Sequence, residues 1–236
     1  MELFFTTDIS ENRALFTGDE ARHLAKALRK SKGDVVHFTD GNGRLYNGVI
    51  SEQSRNEVLV DIKNTEQKQK NWKGYLLLAV ALTKNFNRIE LLVEKAVEMG
   101  VDRIQPLLTD HTEKKGWKLE RLKRIVISAG KQSHKFCFPE VGPVMTLDEL
   151  VRDEDVQKLS CYLPHCYEGE KESWTSLLDH GEEICIAIGP EGDFSDREVS
   201  MASDNGFRPL SLGSQRLRTE TAGMKCCIAF HLLQER

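Results

Sequence analysis

Two short stretches near the end of the chain concentrate residue types that can bind and polarise a ligand. Gly189-Pro190-Glu191-Gly192-Asp193-Phe194 follows an apolar run at 184–189. Leu212-Gly213-Ser214-Gln215-Arg216-Leu217-Arg218-Thr219-Glu220-Thr221-Ala222 follows a second run at 207–212. Glycine lets backbone approach a ligand closely, and guanidinium forks suit phosphates and carboxylates. Glu191 sets a carboxylate at a strand end, where a ligand or a neighbouring loop can donate to it. Gly-Pro-Glu-Gly alone also suits an ordinary strand-to-helix turn. Two arginines at the same sheet end are less ordinary, although a salt bridge from Arg218 to Glu191 or Glu220 would occupy one of them. Thr219 or Thr221 suits the cap of a final helix. Neither stretch contains G-x-G-x-x-G or G-K-[ST], which argues against a dinucleotide fingerprint and a P-loop.

The elements that carry these loops alternate strand and helix from residue 75 onward. Residues 75–82 predict a buried strand, and Ile89, Leu92, Val93, Ala96 and Val97 recur at helical spacing until Gly100. Residues 103–108 predict a strand in which Pro106 marks an edge or an irregularity. Leu122, Ile125, Val126 and Ala129 mark a helix, Thr146-Leu147-Asp148-Glu149 starts a short one, and 158–163 and 174–178 predict a strand and a helix. Ser195-Asp196-Arg197-Glu198 is a capping box before another helix. The pattern is an α/β fold, a mainly parallel sheet with helices on both faces, with ligands expected beyond the carboxyl ends of its strands. Residues 1–68 predict a smaller β-rich domain: a capping box at Thr17-Gly18-Asp19-Glu20, one helix through Leu28, strands at 35–38, 45–50 and 58–62, and a tight turn at Asp40-Gly41-Asn42-Gly43. The polar stretch 63–73 is read as the boundary, giving domains 1–68 and 74–236.

With 236 residues and a net charge of -4, nothing global marks a nucleic-acid or membrane binder. The six cysteines form no C-x-x-C pair and are expected to be reduced thiols of a cytoplasmic protein. A zinc site from His134, Cys137, Cys161, His165 and Cys166 fits no usual spacing, so no metal is expected. The start MELFFTTDIS does not read as a signal peptide, and no apolar run is long enough to span a bilayer, so no membrane partner is expected.

The pairing of IGPEGDFS with LGSQRLRTETAG resembles the SPOUT class of RNA methyltransferases, and more closely the ribosomal RNA small-subunit methyltransferase E (RsmE) family. ALTKNFNRIELLVEKAVEMGVDRIQPL is similar to the family's first strand and helix, and RLKRIVISAGKQSHKFCFPEV to its second helix and following turn. HLAKALRKSKGDVVHFTDGNGRLYNGVI is similar to its N-terminal PUA-like β-barrel domain. The resemblance covers most of the chain, in order. Asp193 stands where the family usually has glycine, and Gln215 where it usually has arginine. Asp110-His111-Thr112 replaces a common arginine-serine pair. The resemblance implies a SPOUT domain with a C-terminal trefoil knot, a homodimer, bound S-adenosylmethionine, and methylation of N3 of one uridine in 16S ribosomal RNA of the small subunit.

On that resemblance the cofactor would be held by Leu163 and His165, by Ile188, Gly189, Pro190, Glu191 and Gly192, and by Leu212, Gly213, Leu217 and Arg218. Thr219, Thr221 and Ala222 of the last helix complete the expected set. Arg218 would stabilise charge on the base, with Glu220 or Glu191 as candidate bases alongside solvent. Glu220 is equally readable as a helix N-terminal charge. RNA contact is expected from Arg22, Lys26, Arg29 and Lys30, from Lys84 and Arg88, and from a second basic run that includes Lys114, Lys115, Arg124 and Lys131. Each run also reads as a solvated face. Two alternatives stay open: a non-catalytic RNA-binding or ribosome-associated factor of the same fold, and a nucleotide-binding enzyme of ordinary doubly wound topology.

Overall fold

The computed structural model describes residues 2–27, 29–113, 116–174 and 183–234. The chain divides into two compact units, 1–71 with 127–138, and 72–126 with 139–236.

The first unit holds β1 (Leu3–Phe5), β2 (Ile9–Ser10), β3 (Arg13–Thr17), helix α1 (Gly18–Arg22) with a π-type turn His23–Ala27, β4 (Val35–Thr39), β5 (Arg44–Gln53) and β6 (Glu57–Gln67). They form one sheet in the order β1-β4-β5-β6-β3-β2, antiparallel except for β1 beside β4. Phe4, Phe16, Phe38, Tyr46, Ile50, Val58 and Val60 share one core, so the sheet must curl to bring residues of five strands together. The Thr6 hydroxyl bonds the Leu15 carbonyl at 2.7 Å, linking the end of β1 to β3. Strand β6 runs to Gln67, so much of the polar stretch read as a linker is paired strand: Asn64, Thr65 and Glu66 lie opposite Asn47, Tyr46 and Leu45.

Segment 127–138 docks on the tight turn at 40–43. The Gly43 N–H donates to the Phe136 carbonyl and the Phe138 N–H to the Gly41 carbonyl, both at 2.8 Å. Gly41 has φ +76°, and a Cβ there would lie 2.9 Å from the Phe138 ring. The capping box expected at Thr17 does not form. Thr17 makes no cap bond, and the Glu20 carboxylate, which would supply the return bond of the box, instead accepts from the Phe5 N–H at 3.3 Å and pairs with Lys131.

The second unit comprises β7 (Tyr75–Ala81), α2 (Phe86–Met99), β8 (Arg103–Leu108), α3 (Leu119–Gln132, whose later turns belong to the first unit), β9 (Glu140–Val141), β10 (Met145–Thr146), α4 (Leu147–Arg152), β11 (Ser160–Pro164), β12 (Glu183–Ile188), α5 (Asp196–Asp204), β13 (Arg208–Leu210) and α6 (Thr219–Gln234). The helix expected at 174–178 falls almost wholly outside the described residues. All pairings are parallel, in the order β10-β8-β7-β12-β11-β13, with β9 beside the start of β8. Leu77, Ala79 and Ala81 of β7 face α4 and α5 through Leu147, Leu150, Val151 and Ala202. The alternate residues Leu76, Leu78 and Val80 are equally buried, and α6 packs on α2, β7 and β12. Helices therefore cover both faces, which explains strands that are apolar at every position. Pro106 is not on an edge strand. It sits between the residues of β8 that pair with β9 and those that pair with β10, so the missing N–H falls at a break in the outer ladder.

Candidate active site

Three loops meet at the carboxyl ends of β11, β12 and β13 and, with the start of α6, enclose a cavity of about 690 Å³. Of the residues named from the sequence for the cofactor, His165, Ile188, Gly189, Pro190, Glu191, Leu212, Gly213, Leu217, Arg218, Thr219 and Ala222 line it. Three do not. Leu163 is buried in the core beneath α4 and α5. Because both faces of β11 are buried, the apolar pattern could not tell which face Leu163 joins. Gly192 lines a neighbouring cavity instead, and Thr221 points outward from α6. Sequence reasoning missed Cys166, Lys171, Leu210 and Ser211, and it placed Arg88 on the RNA side, whereas Arg88 also lines this cavity.

Hydrogen bonds between distant segments hold the loops together. The Asp193 carboxylate accepts from the Cys166 N–H at 2.6 Å and from its neighbour Phe194 N–H at 2.9 Å, joining the β12 loop to the β11 loop. Asp193 has φ +62°, a conformation that favours glycine. The buried Thr219 hydroxyl donates to the Gly189 carbonyl at 2.9 Å, so it ties α6 to β12 rather than capping its own helix. His111 Nδ1 lies 3.0 Å from the Gly192 and Asp193 carbonyls. Asp110 receives Arg197 at 2.9 Å and the Ser195 hydroxyl at 2.6 Å, and these bonds hold its carboxyl below the usual range. Asp110-His111-Thr112 thus fastens the end of β8 to the β12–α5 loop.

A bridge from Arg218 to Glu191 or Glu220, the alternative reading of that arginine, does not form. Arg88 takes that place, with Glu191 at 3.6 Å and Glu220 at 3.8 Å. Glu191 also accepts from the Lys84 N–H at 3.3 Å. Arg218 is exposed at the cavity wall and makes no ion pair among the described residues. Glu220 is buried, and among the described residues its Oε2 has no hydrogen-bond partner. His165 Nδ1 is also buried and has no partner among the described residues. Burial, and then the charge of Lys171, push its pKa down against an opposing pull from Asp193.

Several of the expected RNA-binding cations are engaged. Lys131 pairs with Glu20 and keeps only 17% of its side chain exposed. Lys84 pairs with Glu113 at 2.7 Å, Arg22 with Asp19, and Arg124 Nε donates to the Glu120 carbonyl at 3.3 Å. Lys30 donates to the Val35 carbonyl at 2.8 Å, while Arg29 is exposed with φ +53°. Lys114, Lys115 and the side chain of Lys26 lie outside the described residues. Among the described residues, no group of three or more metal-ligating side chains gathers, and no helix is long and apolar enough to cross a membrane.

Residues 70–231 match a family model for an RNA methyltransferase domain, and 16–63 one for an RNA methyltransferase PUA domain. A ribosomal RNA small subunit methyltransferase E from Synechocystis sp. is 30% identical over 219 residues, 91% of this chain and 71% of the relative. The structure superposes on a probable rRNA-methyltransferase from Porphyromonas gingivalis with a TM-score of 0.91 at 37% identity, covering 100% and 99% of the two chains. It superposes on a methyltransferase from Legionella pneumophila, solved with bound cofactor SAM, with a TM-score of 0.85 at 26% identity over 98% and 96%.

Proposed function

Because the chain belongs to the ribosomal RNA small-subunit methyltransferase E family of RNA methyltransferases, we propose that it methylates N3 of a uridine in 16S ribosomal RNA, with S-adenosylmethionine as donor. The observation that carries this reading is the three-loop cavity with Arg218 on its wall and no counter-ion (among the described residues) beside it. The residues fit the donor. A volume of about 690 Å³ suits a nucleoside with an amino-acid tail. Ile188, Leu212, Leu217 and Ala222 offer apolar walls to adenine, and the partnerless His165 Nδ1 offers a polar group to the ligand. Once bound, the donor supplies an electrophilic methyl group on a sulfonium.

The protein's own part is to orient the base, exclude water and balance charge. Deprotonated uracil spreads negative charge over its carbonyl oxygens, and the Arg218 guanidinium is suited to stabilise it. Arg88 is less suited, being occupied by Glu191 and Glu220. A homodimer is supported by Leu91 on α2 and Ile228 and Leu232 on α6, which are 44%, 50% and 57% exposed on helices packed together. Arg22, Lys26, Arg29 and Lys30 of the first unit are proposed to meet RNA phosphates. A knotted C-terminus is supported by α6, which follows edge strand β13 yet packs against β7 and β12. A cytoplasmic location is supported by six free thiols.

Calorimetric titration with S-adenosylmethionine, followed by methyl transfer to small subunits from cells lacking the activity, tests the reading. Saturable binding and transfer support it, and a folded protein that binds no donor overturns it. Arg218→Ala should slow transfer by about 10²–10³-fold while leaving the fold intact. Normal transfer by that variant would remove Arg218 from its role.

A further inference from the structure

Beside the cofactor cavity lies a second one of about 550 Å³ at the carboxyl ends of β7 and β8. Leu82, Lys84, Asp110, His111, Glu113 and Gly192 line it, and Glu191 forms a wall of both cavities. Resting on the methyltransferase reading above, we propose that this second cavity receives the target uracil and that His111 is the catalytic base that removes its N3 proton.

Tautomer and competition carry the assignment. Carbonyl oxygens only accept, so His111 Nδ1, at 3.0 Å from both the Gly192 and Asp193 carbonyls, carries the ring proton. In its neutral form the ring therefore keeps its lone pair on Nε2, and no partner takes it up among the described residues. The other acidic acceptors in the lining are engaged. Asp110 is held by Arg197 and Ser195, Glu113 by Lys84, and Glu191 by Arg88 and the Lys84 N–H. A carboxylate with a cation attached is a poor proton acceptor, whereas an imidazole acts near the working pH. A uracil imide presents an N–H between two carbonyl oxygens. His111 Nε2 meets the N–H, and the Lys84 side chain, paired with Glu113, is in the same lining.

The step balances without a further reactant. The N3–H bond breaks and its proton passes to His111 Nε2. N3 keeps the electron pair and bonds the donor's methyl carbon as the carbon–sulfur bond breaks, with that pair leaving on sulfur. The imidazolium then returns its proton to water.

His111→Asn is the decisive variant, because its side-chain amide nitrogen stands as many bonds from Cα as Nδ1 does. It keeps a donor for the two carbonyls and removes the Nε2 acceptor. We expect His111→Asn to bind S-adenosylmethionine in calorimetry as the wild type does, and to transfer methyl groups about 10²–10⁴-fold more slowly. Added imidazole should restore part of the rate of His111→Ala. Uridine 5′-monophosphate should shift the Nε2 resonance of ¹⁵N-labelled His111 in wild-type protein. Wild-type transfer rates in His111→Asn, or no shift of that resonance, overturn the proposal and leave the methyltransferase reading standing. Donor binding lost in His111→Asn assigns His111 to holding the loops and also overturns it. Failure of the wild type to bind donor overturns both.

Discussion

Removing the Arg88 charge is expected to cost more than an ordinary surface ion pair. Arg88 stands 3.6 Å from Glu191 and 3.8 Å from Glu220, with side chains 30%, 29% and 10% exposed respectively. At such distances each pair attracts by about 4 kcal/mol at an effective dielectric constant of about 20. Desolvation of the three ions takes back most of that gain. What remains decisive is the state after removal: Glu220, with one oxygen already lacking a partner, would be left buried beside Glu191 with no cation. Arg88→Met, which keeps the aliphatic length, should therefore destabilise the protein by about 2–4 kcal/mol. Urea denaturation of Arg88→Met, Glu220→Gln and the double variant measures it as a cycle. The double variant should recover at least about 1 kcal/mol relative to the sum of the single losses. Additivity to within about 0.5 kcal/mol would show that Arg88 does not balance Glu220, and the claim that Arg88 frees Arg218 for substrate would fall with it.

Other outcomes follow from the loop contacts. Asp193→Ala loses the bonds to Cys166 and Phe194 while keeping a left-handed backbone, and Asp193→Gly loses the same bonds but relieves the backbone. The glycine variant should be the more stable by about 1 kcal/mol in denaturant titration. Both should bind S-adenosylmethionine more weakly in calorimetry than the wild type. His165 has a folded pKa held below its unfolded value by burial, so the unfolded chain takes up the proton first. Its contribution to stability is complete above the unfolded value of about 6.5 and is lost as pH falls from there towards the lower folded value. The urea midpoint of the wild type should drop more steeply over that window than that of His165→Gln. The Asp110 carboxyl is lowered as well, with the same sign and in a more acidic window: stability from its bonds to Arg197 and Ser195 is present above the unfolded carboxyl value and lost as pH falls through the lowered folded one. Because both partners are exposed, Asp110→Asn should cost less than about 1 kcal/mol near neutral pH.

What the sequence made legible were features encoded locally. Thr146 and Ser195 cap α4 and α5 through bonds spanning three residues, and Gly100 ends α2 with φ +108°. The strands β7 and β12 were legible because burial on both faces leaves a nearly unbroken apolar run. Features set by distant partners were not legible. Thr17 and Glu20 have the spacing of a capping box, yet Phe5 and Lys131 compete for Glu20 and win. Strands β1 to β3 are two to five residues long, too short for a period to show. The cofactor loops could be named because glycine and arginine cluster there. The partner of Glu191 and Glu220 could not, because nothing local separates Arg88 from Arg218 as the cation that reaches them.

The positions at which the resemblance implies a departure from the family bear on whether this chain has lost catalysis. Independent decay would leave Asp193, Gln215 and Asp110-His111-Thr112 unrelated to one another, with their former partners orphaned. Instead two of the three are in contact. His111 Nδ1 bonds the carbonyls of Gly192 and Asp193, and the Asp193 side chain in turn secures the β11 loop through the Cys166 N–H. Asp110 is saturated by Arg197 and Ser195 at the start of the helix that follows the same loop. At the third position, Gln215 and the adjacent Arg216 both still line the cavity, so an arginine remains at its rim one residue along. Residues that replace a conformationally free glycine and an arginine-serine pair with a bonded set of loops preserve the shape those loops must hold. That mutual fit favours an active enzyme with a rebuilt loop clasp over a binding factor that no longer needs its cofactor cavity.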